Sequence, residues 1–108
     1  MKTSTGIKLI SEERERQQRV EGYWLEDDRR YTSGELCDAA MSYAKAAAKQ
    51  ARGESLEYLT EMEGACEIPW PWDASHWKPS ESQIRNLVKA GALIAAEIDR
   101  LSYLEENA

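Results

Sequence analysis

The stretch Ile84-Arg85-Asn86-Leu87-Val88-Lys89-Ala90-Gly91-Ala92-Leu93-Ile94-Ala95-Ala96-Glu97-Ile98-Asp99-Arg100-Leu101 decides the fold class. Ile84, Leu87, Val88, Gly91, Ile94, Ala95, Ile98 and Leu101 recur at helical intervals and form one apolar stripe over roughly five turns. Just upstream, Pro79-Ser80-x-x-Gln83 has the spacing of a capping box with Ser80 as N-cap. Gly91 inside the stripe costs about 1 kcal/mol relative to alanine. Close packing against a second helix is the expected reason for it.

That second helix reads from Thr32-x-x-Glu35, another capping box, to Arg52-Gly53. Leu36, Ala39, Ala40, Tyr43, Ala47 and Ala51 share its face, and alanine there lets a neighbour approach closely. The expected contact with the last helix runs through Ala40, Ala47 and Gly91. A first helix is predicted over Thr5 to Val20, rich in helix formers but with a thin apolar stripe of Ile7, Ile10 and Val20. Glu12 with Arg16 and Glu15 with Arg19 stand at i,i+4 spacing. Gly22 ends this helix, Tyr23-Trp24-Leu25 follows as an apolar anchor, and Glu26 to Arg30 is a charged loop. Leu56, Leu59 and Met62 suggest a short helix over Ser55 to Glu63, broken by Gly64. No strand-like alternation of useful length occurs. The expected fold is a single all-α domain over residues 1–108: three main helices, a short fourth, and an irregular Trp/Pro-rich segment.

Twenty acids oppose fourteen bases, for a net charge of −6. This excludes a general nucleic-acid binder, which needs a basic face, and suits a partner with a basic surface. No apolar run reaches the length of a membrane span, and no secretory h-region is seen, so a cytoplasmic setting is expected. Cys37 and Cys66 are too few for a disulfide framework, and with one histidine they make a poor zinc set. A chain of this size buries a modest core, so a homo-oligomer is compatible with it.

Between Pro69 and Pro79 lie three of the four tryptophans, all three prolines and the only histidine. Proline there forbids an ordinary helix interior. Trp70, Trp72 and Trp77 either plug an open end of the bundle or are presented to a ligand. In the second case indole faces stack bases, while Asp73, His76 and Lys78 fix a phosphate or sugar. Ser75, His76 and Asp73 are too close in sequence for a catalytic triad. Arg29 and Arg30 are secondary candidates for phosphate or carboxylate. The acids Asp27, Asp28, Glu35 and Asp38 could gather round a hard cation, or simply complement the dipole of the second helix and pair with Arg29 and Arg30. Glu97 and Asp99, two apart on a helix, do not share a face and read as solvated surface acids, although Glu97 could meet Glu21 or Glu35 from a neighbouring helix. No phosphate-binding loop, dinucleotide fingerprint or H-E-x-x-H motif occurs.

Three blocks carry a family resemblance: Glu15-Arg16-Gln17-Gln18-Arg19-Val20-Glu21-Gly22-Tyr23 with Asp27-Asp28; Gly34-Glu35-Leu36-Cys37-Asp38-Ala39-Ala40 through Tyr43-Ala44; and Trp70-Pro71-Trp72-Asp73 with Trp77-Lys78-Pro79, running on through Asn86 to Leu101. In these the chain resembles a group of small proteins carried by tailed bacteriophages and prophages. Members of that group often place histidines around the acidic pair, where this chain has Glu26 and Tyr31. The resemblance implies a phage origin and the host cytoplasm, and it brings no activity with it.

The expected function is that of a phage accessory protein acting by non-covalent binding, countering host defence by gripping a defence protein or sequestering a nucleotide signal. The candidate contacts are Trp70, Trp72, Asp73, His76, Trp77 and Lys78, with Arg29 and Arg30; no catalytic residue, metal or cofactor is assigned. An alternative is a Mg²⁺-dependent nucleotide pyrophosphohydrolase of the MazG type. For it Glu35-x-x-Asp38 has the spacing, whereas Glu97 and Asp99 do not. A purely structural or assembly role is the third reading.

Overall fold

A computed structural model describes residues 4–20, 30–54 and 68–108. Three α-helices carry them: α1 (Thr5–Val20), α2 (Glu35–Ala51) and α3 (Gln83–Glu106), with a single 3-10 turn at Ala74–His76. The expected all-α class is found, with no strand among the described residues. The short helix expected over Ser55 to Glu63, with Cys66, Glu21, Asp27, Asp28 and Arg29, lies outside the described residues. No helix among the described residues is long and apolar enough to cross a membrane.

α2 and α3 make the main interface, and α1 packs on α3. The interface is built of small residues. Ala39, Ala40, Ala46 and Ala47 of α2 and Ala90, Ala92 and Ala96 of α3 are all 4% exposed or less, and Ala46 and Ala90 pack in one cluster. Tyr43 and Trp77 supply its bulk, clustered with Ala46 and Ala90. Small side chains let two helices approach closely, so dispersion contacts replace the volume that Leu or Ile would fill.

This reverses the expected orientation of α3. Its buried side carries Asn86, Val88, Ala90, Ala92, Ala96, Glu97 and Arg100. Ile84, Leu87, Ile94, Ile98 and Leu101, the heart of the predicted core stripe, are 47–64% exposed. Periodicity marks an apolar face; it does not say that a neighbour covers it. Gly91 accordingly does not meet α2: a Cβ built there would lie 2.7 Å from Cγ1 of Ile10, so its close neighbour is α1.

Both expected capping boxes are displaced. The N-cap of α2 is Gly34, with φ of 83° and no side-chain cap. Glu35 follows it as the first helical residue, and its carboxylate accepts from the Ser33 N–H at 2.6 Å. The N-cap of α3 is Ser82, whose hydroxyl accepts from the Arg85 N–H at 3.1 Å. Ser80 is held outside the helix by Asn86. The Ser80 N–H donates to Asn86 Oδ1 at 2.8 Å, and Asn86 Nδ2 donates to the Ser80 carbonyl and to Gln50 Oε1. Asn86 is fully buried, and this latch fastens the approach to α3 onto the end of α2. α2 stops as expected: the Gly53 N–H donates to the Gln50 carbonyl and the Glu54 N–H to that of Lys49, a Schellman motif with Gly53 at φ 76°.

α1 is fastened by charge more than by apolar contact. Glu13, Arg14 and Gln17 are all buried. Glu13 accepts from Arg16 at 2.8 and 2.9 Å and meets Arg85 of α3 at 2.7 Å, while Arg14 lies 3.5 Å from Asp99. Of the expected surface pairs, Arg19 meets Glu15 at 3.4 Å.

Candidate functional site

Asp73 organises the tryptophan segment. Its carboxylate caps the 3-10 turn by accepting from the Ser75 N–H at 2.8 Å, and its carbonyl accepts from the Trp70 indole at 3.0 Å. The hydrogen bonds from Ser75 hold the Asp73 carboxyl below its ordinary range. With φ restricted at Pro69, Pro71 and Pro79, the indoles are set without helix or strand. They form a connected run: Tyr31 to Trp72 at 5.1 Å between centroids, Trp72 to Trp70 at 5.3 Å and edge-on, Trp70 to Trp77 at 5.0 Å, and Trp77 to Tyr43 at 4.8 Å.

One end of this run borders a cavity of about 550 Å³ between α1, α2, α3 and the segment. Tyr31, Trp70 and Trp72 form its aromatic wall, with Tyr43, Leu36 and Leu93 from the helices. α1 contributes Glu13, Arg14, Arg16 and Gln17. Asp73, His76, Lys78 and Lys89 complete it, so four cationic side chains face two carboxylates. In a chain of net charge −6 that is a local reversal of sign. The Lys89 ammonium donates to the Lys78 carbonyl at 3.0 Å and lies 5.2 Å from the Tyr43 ring centre. The Trp72 indole N–H is shut off from solvent and finds no hydrogen-bond acceptor. The Trp77 indole N–H, in the core away from the cavity, is likewise buried without an acceptor.

Five of the expected site residues, Trp70, Trp72, Asp73, His76 and Lys78, are thus brought together. Trp77 is not with them: it is 9% exposed, in the core cluster with Tyr43, Ala46 and Ala90, and it does not line the cavity. Arg30 is exposed, its guanidinium 5.5 Å from the Tyr31 ring centre. Arg29 lies outside the described residues. Sequence reasoning missed the α1 wall and Lys89, because Glu13, Arg16 and Gln17 have the composition of a solvated helix face. The one available signal was that α1 lacks an apolar stripe broad enough to dock it.

Glu35, Asp38 and Glu97 come near one another around Cys37 and Arg100 without forming a metal site. Glu35 is engaged with Ser33, and Asp99 with Arg14. Glu97 is not a solvated acid: it is 8% exposed, pairs with Arg100, and accepts weakly from the Cys37 thiol at 3.8 Å. Among the described residues no three His, Cys, Asp or Glu side chains are grouped to hold a metal ion. Comparison with protein-family models, curated proteins and solved structures finds no match for the chain.

Glu13 gives the cavity wall a pH signature. Burial pushes its carboxyl up, but the Arg16 and Arg85 guanidinium groups outweigh that and hold it at about 2, against 4.5 in a free chain. A depressed folded-state value stabilises the protein above pH 4.5, and this contribution is lost as pH falls toward 2. After discounting for solvent screening at the open cavity, its size is about 2 kcal/mol. Chemical denaturation across that range should show the loss, and Glu13→Gln should flatten it. An unchanged acid profile in Glu13→Gln would place the acid-labile group elsewhere.

Proposed function

We propose that this chain is a phage-encoded accessory protein that acts in the host cytoplasm by non-covalent binding, and that it counters host defence by sequestering a nucleotide signal in the aromatic cavity. One observation carries the reading: indole and phenol walls line one open cavity together with Arg14, Arg16, Lys78 and Lys89. The volume of about 550 Å³ falls within the range of small-molecule sites, roughly 300–1,000 Å³. An aromatic wall stacks a base for about 1–3 kcal/mol. Arginine and lysine meet phosphate oxygens. Trp70 and Trp72 are half-buried and Trp77 is buried, which favours a small ligand over the other form of the reading, a defence protein gripped by exposed tryptophans. The phage setting rests on the sequence resemblance.

Titration with cyclic dinucleotides and ADP-ribose-type nucleotides, followed by calorimetry and tryptophan fluorescence, tests it. Binding with quenching is expected, and Lys78→Glu should weaken it at least about tenfold, equivalent to about 1.4 kcal/mol. Lys78 is exposed, so the variant should fold as wild type does. No heat and no quenching with any of these nucleotides would sink the nucleotide reading. Turnover of a nucleotide with Mg²⁺ that disappears in Glu35→Gln would replace it with the pyrophosphohydrolase reading.

A further inference from the structure

Ile84, Leu87, Ile94, Ile98 and Leu101 stand on one outward face of α3, each about half exposed or more. With Gly91 their spacing is three, four, three, four, three, the a/d register of a coiled-coil seam. Ile10 of α1 is seated on Gly91, where the helix lacks a side chain, so the ridge has no gap at its middle. Ile7, also exposed, lies one turn further along α1. The ridge is about 26 Å long. No charged residue interrupts it between Ile84 and Leu101.

We propose that this ridge is the contact of a two-fold homodimer, with the α3 helices of two copies packed antiparallel. Two features select a second copy in this orientation. The first is register. Antiparallel pairing sets Ile84 against Leu101 of the second copy, Leu87 against Ile98, and the Gly91–Ile10 site against Ile94, so every large side chain meets an apolar partner. A contact in which the same patch serves both copies closes on itself. The second is charge. Glu105, exposed, is the next position of the same seam after Leu101. Parallel helices bring two Glu105 carboxylates together; antiparallel helices lay each beside the positive N-terminal turn of the other α3. Dimerisation is independent of what fills the cavity.

Sedimentation and light scattering over a concentration series should show wild type shifting from monomer to dimer. Leu87→Lys and Ile98→Lys should be monomeric at every concentration with the helical circular dichroism of wild type, since both positions are exposed in the single chain. For orientation, Ile84→Cys and Leu101→Cys chains, each with Cys37 and Cys66 replaced by Ser, are mixed and oxidised. The expected product is the mixed 84–101 disulfide. A wild type that stays monomeric overturns the proposal, as do lysine variants that dimerise like wild type. Preferential 84–84 and 101–101 products overturn the antiparallel arrangement.

Discussion

Trp77→Ala is expected to destabilise the protein by about 4 kcal/mol, within the range for truncating a buried aromatic side chain. The indole lies 4.8 Å from Tyr43 and 5.0 Å from Trp70 between ring centres, against Ala46 and Ala90, in a core otherwise short of large side chains. Alanine on α2 and α3 cannot expand to fill the void. For a small domain the loss is a large share of the total stability, so partial unfolding at ambient temperature is expected. Urea denaturation measures it. A loss of about 1 kcal/mol or less would mean that the ring is not part of the core. Trp77→Phe should recover most of the stability and leave ligand binding at the cavity intact, because residue 77 is not in its wall.

Glu97→Ala is expected to cost about 3–5 kcal/mol, by stranding the Arg100 guanidinium. The two side chains are 11% and 7% exposed, and Glu97 also receives the Cys37 thiol of α2. The carboxylate holds the Arg100 guanidinium above its ordinary value, the sign of a charge that needs its partner. Replacing both residues, as in Glu97→Leu with Arg100→Leu, should return a large part of the loss, since no uncompensated charge remains. Equal losses in the single and double variants would show that the stranded charge carries no penalty.

How much of this was legible beforehand differs from element to element. α1 has the predicted bounds, because a run of strong helix formers favours helix along its whole length. The end of α2 at Arg52-Gly53 was legible because a left-handed residue there favours glycine. Its start was not: Thr32 and Glu35 have capping-box spacing, but Gly34 takes the cap and Glu35 turns back to Ser33. Ser80 failed for a related reason, since Asn86 and Gln50 claim its backbone groups and leave the cap to Ser82. Of the candidate site, the Trp70 to Lys78 segment was readable from its density of indoles and prolines. The α1 wall was not, because a glutamate in a charged run such as Glu12-Glu13-Arg14 looks the same whether it faces water or a cavity.

Sequence by itself determined the all-α class, the three helices and the rigid aromatic segment, because propensity, glycine and proline act over a few residues. Tertiary structure decided which face of α3 is buried, that Trp77 is core while Trp70 and Trp72 reach a cavity, and that Glu13 and Glu97 are interior charges. These are outcomes of competition between surfaces. Small buried side chains let α2 and α3 approach closely, and the buried carboxylates persist where arginines pair with them, Arg85 from another helix for Glu13 and Arg100 one turn away for Glu97.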